Sequence, residues 1–213
     1  MRRFLLAGTL LAGMSVPAAA AVVTWDFSVG TPGDLGPTAV QDSVPGAVPI
    51  DLAGFVSVAG HFVTTDLFRK EGDANMPNLK DEKGMGLTQL DHEIVPGSFV
   101  QLDLSHVTNK IDFSFSANST TGPDEWGLWL SNTAGSHGSG TTLTGMDENT
   151  HFIDASGFRF LDVGAIHGTV LLHTVDANVI PEPSTWAMML LGGGFLALFG
   201  WRRKNAKGNV AFG

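Results

Sequence analysis

Cysteine is absent from this 213-residue chain, which removes disulfides, zinc–thiolate centres and thiol nucleophiles from consideration. Other signatures are missing as well. No Gly-x-Ser-x-Gly turn is present to expose a serine nucleophile. Neither His-Glu-x-x-His nor the Asp-x-Asp-x-Asp-Gly calcium loop occurs. Gly84-x-Gly86 fails as a dinucleotide fingerprint, because Gln89 stands where the third glycine belongs. The seven histidines are spread singly. There is no internal repeat with a period of about 20–50 residues, and residues 21–180 hold no long amphipathic helix pattern.

Positive charge is scarce where a partner would meet it. The whole chain carries −9, but between residues 21 and 180 six Lys and Arg face twenty Asp and Glu, a net −14. A surface that acidic repels phosphate backbones, so a nucleic-acid partner is excluded.

What the sequence does have in plenty is punctuation at its two ends. Arg2 and Arg3 precede a short apolar run from Phe4 to Met14, then Pro17 and the small residues Ala18, Ala19 and Ala20. This is the layout of a secretory signal peptide over residues 1–20, with Ala18 and Ala20 presented to signal peptidase and cleavage after Ala20 or Ala21. About eleven apolar residues are too few to span ~30 Å of hydrocarbon. At the other end, Pro181 and Pro183 hold the chain extended. Sixteen residues without a charge then run from Trp186 to Trp201. As a helix they would be about 24 Å long, marginal for a membrane span. Arg202, Arg203 and Lys204 follow as a stop-transfer cluster on the cytoplasmic side, leaving residues 205–213 as a short tail. Gly192, Gly193 and Gly194 interrupt the apolar stretch. Each costs roughly 1 kcal/mol in a helix interior in water, which fits a close-packed helix pair or a temporary segment better than a permanent anchor.

Pro181-Glu182-Pro183, the short apolar stretch and the basic cluster together resemble the PEP-CTERM sorting signal, a tail also called "ice-binding protein C-terminal", over residues 180–204. The resemblance implies processing by an exosortase, a multipass membrane protease of Gram-negative bacteria that make exopolysaccharide. It implies passage through the inner membrane and delivery to the cell surface or the extracellular matrix, with exopolysaccharide as a possible partner. An ordinary single-pass anchor is the alternative. Ice binding itself has no support, since Thr120-Thr121 and Thr141-Thr142-x-Thr144 are isolated clusters rather than a regular array.

Residues 21–179 are expected to form one ectodomain, since about 160 residues suffice for one core. Its apolar period is two, in Val22 to Phe27, Phe55 to Val63, Val100 to Leu104 and Ile111 to Phe115. Residues 126–130, 158–163 and 169–175 are apolar enough for central strands, and Gly, Ser, Thr, Asn and Pro fill the breaks. The expected fold is all-β, a jelly-roll-like antiparallel sandwich. The order of motifs from Lys83 to Ala177 is similar to the body common in PEP-CTERM proteins, which implies a compact sandwich and no known activity. Residues 30–50, with four prolines, and residues 69–86, rich in lysine, are expected to be loops.

Candidate chemistry is sparse. Asp91 and Glu93 could offer a structural Ca²⁺ two carboxylates from one turn, and Asp124-Glu125 and Asp147-Glu148 are similar pairs. Trp126 and Trp129, three apart on a strand, face opposite sides. One is expected in the core, and the other could stack on a sugar. Gly135-Ser136-His137 reads as a loop rather than a catalytic pair. The leading expectation is a structural or adhesive surface protein without enzyme activity. A carbohydrate- or calcium-binding module comes second, and an extracellular hydrolase third.

Overall fold

The computed structural model describes residues 21–44, 48–72, 82–88, 92–107, 113–118, 123–138 and 142–179. The signal peptide, the Pro181-Glu182-Pro183 motif, the apolar stretch, the basic cluster and Asp91 lie outside them. Among the described residues no helix is long and apolar enough to cross a membrane.

The strands are β1 (Ala21–Asp26), β2 (Gly33–Gly36), β3 (Thr38–Asp42), β4 (Pro49–Val58), β5 (His61–Thr65), β6 (Leu67–Lys70) and β7 (Gly84–Leu87). They continue as β8 (Ser98–Asp103), β9 (Phe113–Asn118), β10 (Glu125–Ser131), β11 (Leu143–Gly145), β12 (His151–Ile153), β13 (Phe160–His167) and β14 (Leu171–Val179). A 3-10 turn, Leu104–His106, follows β8. The strands make two antiparallel sheets. The first runs β12-β9-β14-β7-β6-β2, with β1 also on β14; the second runs β11-β10-β13-β8-β4-β3, with β5 also on β4. In each sheet one long strand takes two short ones end to end along one edge: β1 and β7 on β14, β3 and β5 on β4.

One apolar cluster draws on both sheets, consistent with a β-sandwich. Trp25, Met85, Leu87, Phe115, Leu172 and Val175 come from the first; Ile50, Leu52, Val100, Leu102, Trp126 and Val163 come from the second. Phe115 meets Trp126 edge to face across the sheets at 4.8 Å, a geometry that the ring quadrupoles favour. Both buried indoles find acceptors in loops. Trp25 Nε1 donates to the Val48 carbonyl at 2.8 Å, and Trp126 Nε1 to the Asp147 carbonyl at 2.9 Å.

One strand and two loop expectations are corrected. The run from Phe55 to Val63 is two strands, because Ala59 (φ 52°) and Gly60 (φ 83°) both take left-handed backbone and close a two-residue hairpin. Residues 30–50 contain β2 and β3. Their prolines are accommodated because Pro37 lies between the strands and Pro49 opens β4. Residues 69–86 are not a solvated loop throughout, since Gly84, Met85, Gly86 and Leu87 are buried as β7. Its glycines mark close approach. A Cβ on Gly86 would fall inside the His92 carbonyl oxygen, which the chain lays across β7, while the His92 ring stacks on Phe68 at 3.7 Å.

Gly86→Ala is therefore expected to destabilise the protein by about 2 kcal/mol or more, because backbone rather than a flexible side chain must yield. Urea denaturation of the variant checks this.

Candidate functional site

The strands β10, β13, β8 and β4 carry residues alternately toward the core and toward the outer face of the second sheet. Register aligns the outer residues in rows. Trp129, Asp162, Gln101 and Ala53 form one row; Ser131, Phe160, Asp103 and Asp51 form the next; Gly127, Gly164, Phe99 and Phe55 form a third. This outer face is not left to water. Phe99, Gln101, Phe160 and Asp162 are buried, so β8 and β13 are enclosed on both sides.

The cover is the segment 132–138, which sequence composition reads as a Gly- and Ser-rich loop. It folds back from β10 and docks on Gln101. Gly135 N donates to Gln101 Oε1 at 2.9 Å, and Gln101 Nε2 reaches the Thr133 carbonyl at 3.4 Å. The His137 ring sits against Phe62 (4.8 Å), Trp129 (4.9 Å) and Phe99 (5.3 Å). Glycine at 127 and 164 leaves room for the Trp129 ring; a Cβ on Gly164 would lie 3.1 Å from it.

Beside this cover the outer face opens into a groove of about 560 Å³, within the ~300–1,000 Å³ range of small-molecule sites. Ala53, Phe55, Gln101 and Phe160 line it, with Thr38 and Val40 of β3, Ala134 of the cover, Asp51, Asp103 and Arg159. Arg159 grips Asp103 with two nitrogens, at 2.7 Å from Nη2 and 3.2 Å from Nε, and lies 4.8 Å from the Phe160 ring centre. Partial burial opposes ionisation of Asp103, but hydrogen bonds from Arg159 and Ser105 outweigh it and hold the carboxyl below its usual range.

Asp162 is the unusual group. It is fully buried, and neither carboxylate oxygen has a hydrogen-bond partner. Burial pushes its pKa up to about 7, and the nearby Gln101 amide offsets this only in part. The sequence reading missed Asp162, because in Phe-Leu-Asp-Val an aspartate on the alternate face looks solvated.

Of the residues singled out from sequence, Trp126 is buried in the core and Trp129 is half-buried on the opposite, outer face. Glu93 is buried and bonded to Lys70 Nζ, which also donates to Glu82 at 2.7 Å. Burial alone would lower the Lys70 pKa; the two carboxylates outweigh it and raise it. An ammonium thus already stands between these acids, where calcium would have to compete. The other acidic pairs diverge. Asp124 accepts from Thr169 N at 3.4 Å while Glu125 meets His167 at 3.0 Å, and Asp147 meets His151 at 2.6 Å. Among the described residues no three His, Asp or Glu converge as a metal site.

The class defined so far is an all-β protein of two antiparallel sheets with a covered outer face and an adjoining groove. At the end of its last strand, a family model for the PEP-CTERM protein-sorting motif matches residues 179–204. The chain thus carries a PEP-CTERM sorting signal, and the motif implies export and membrane-associated sorting by exosortase. No curated protein matches the chain.

Asp162 generates a pH prediction. The ordinary value for the group is 3.8 and the folded value about 7. Between the two, the folded state holds the extra proton, so stability falls as pH rises, and above about 7 the whole penalty of at most ~4 kcal/mol is present. Asp162→Asn removes that slope. Urea titrations are expected to show little difference between variant and wild type near pH 4 and a gain for the variant that is complete by about pH 8.

Proposed function

We propose that the chain is a jelly-roll-like β-sandwich delivered by exosortase to the cell surface or exopolysaccharide matrix, where it has a structural or adhesive role. Signal peptidase removes residues 1–20, the apolar stretch holds the protein in the inner membrane during transit, and the ectodomain then acts by contact with polysaccharide. The observation that carries the contact is the groove beside segment 132–138. It combines aromatic edges, an amide, carboxylates and a guanidinium in one lining. A sugar has apolar C–H faces and hydroxyl edges that both give and accept hydrogen bonds, so it matches such a mixed surface better than a purely apolar ligand would.

The reading is binding without hydrolysis. Glycoside cleavage needs two carboxyl groups flanking one bond, one of them with a raised pKa. Asp103 is held ionised by Arg159, and Asp162, the one acid with a strongly raised pKa among the described residues, is sealed from the groove.

Two measurements test this. Mass spectrometry of the mature protein from its source is expected to find everything after the Pro181-Glu182-Pro183 region removed; a tail intact to Gly213 would mean an ordinary anchor. In affinity electrophoresis the ectodomain is expected to be retarded by the organism's own exopolysaccharide. Arg159→Ala is expected to weaken that retardation by about tenfold, the loss of one charged hydrogen-bonding group. Equal mobility of both proteins in gels with and without polysaccharide would exclude the groove.

A further inference from the structure

The groove ends at Gln101 and Ala134, but the row of residues that makes its floor does not. Register carries that row from Ala53 through Gln101 to Asp162 and Trp129, beneath segment 132–138. The hidden half has what a polar ligand needs. Asp162 holds two oxygens with no partner in a fully buried position, an arrangement that destabilises the closed form. Trp129 offers a half-buried ring beside it. The cover itself is held by the side chain that lines the groove: Gln101 Oε1 accepts from Gly135 N, and its Nε2 reaches Thr133 O. A groove ligand that hydrogen-bonds to the Gln101 amide therefore competes directly with the anchor of the cover.

We propose that the visible groove is half of a longer carbohydrate site, and that a neutral polysaccharide segment displaces residues 132–138 to reach Trp129 and Asp162. This rests on the groove reading above. In the open form the Trp129 ring packs against a sugar C–H face. The Asp162 carboxyl takes hydroxyls from adjacent carbons of one ring, which satisfies both of its oxygens. His137 leaves its seat among Phe62, Phe99 and Trp129, and the sugar fills the space. Neutral sugars are selected by charge. Residues 21–180 carry a net −14, and the combined site places Asp51, Asp103 and Asp162 against Arg159, with the His106 imidazole 3.9 Å from Asp51, so the acids outnumber the cation and a uronate-bearing chain meets like charge.

The test uses oligosaccharides from partial hydrolysis of the source exopolysaccharide, separated into neutral and uronate-bearing fractions, on the full chain in detergent. Calorimetry measures binding, and hydrogen exchange with mass spectrometry follows the segment containing Gly135. The neutral fraction is expected to bind and to speed exchange at 132–138 by about tenfold or more. Asp162→Leu, which replaces the lone carboxyl with an apolar group of similar size, is expected to weaken binding about tenfold or more while keeping or raising the melting temperature. Gln101→Ala is expected to speed exchange at 132–138 without ligand. If the neutral fraction binds, is weakened by Arg159→Ala, yet leaves exchange at 132–138 and the Asp162→Leu affinity unchanged, the hidden half is overturned and the groove reading stands. Preference for the uronate-bearing fraction overturns the charge selection, and with it the proposal. Binding of neither fraction overturns both readings.

Discussion

A strand such as β8, with Phe99 on one side and Val100 and Leu102 on the other, has to be enclosed on both faces. The first sheet supplies one enclosure, through contacts such as Phe115 on Trp126. Among the described residues no third sheet provides the other enclosure, so it falls to residues 132–138, with Phe62 of β5 beside them. Much of the rest of the second sheet follows from this. The segment must be narrow to lie close to the strands, which glycine permits at 135 and 138. It needs an apolar plug, which is the His137 ring. It needs a polar anchor on a surface otherwise made of rings, which is Gln101. The groove is what remains where this cover stops and β3 begins.

Two ion pairs hold acids that lie in or next to the packed sheets. Lys70 lies between Glu82 and Glu93 of the first sheet, and Arg159 is locked to Asp103 on the second. Among the described residues Asp162 is the exception, a buried acid that no cation reaches. Its position explains the difference. A lysine or arginine beside it would need space under the cover that Trp129, Phe99 and His137 already occupy.

The strands legible in the sequence were those with one solvated face or an unbroken apolar run, such as β1, β8 and β10. Their period depends only on neighbours along the chain. Harder to see were elements defined by contacts distant in sequence. β7 is four residues with two glycines, and only the His92 carbonyl lying across Gly86 shows why they are there. Trp126 and Trp129 were separable by alternation alone, yet nothing in the alternation of 158–163 told that Asp162 would be sealed, because its cover comes from 24 or more residues earlier. Glu93 looked like half of a metal pair with Asp91. Its ammonium partner, Lys70, lies 23 positions away. The groove belongs to the same category, since its walls come from β3, β4, β8 and the cover together.

The ends of the domain connect this architecture to its export. Ala21 pairs with Val179, and the register continues to Asp26 opposite Thr174. The first residue after the expected signal-peptide cut and the residue two positions before Pro181 are therefore neighbours across one ladder. The PEP-CTERM motif, matched over residues 179–204, begins at the last residue of the most heavily paired strand of the first sheet, which is bordered by β1, β7 and β9. The β1–β14 ladder closes only when both ends of the described chain have arrived. That ladder belongs to the first sheet, whereas the groove lies on the outer face of the second, so the two are on different sheets of the domain.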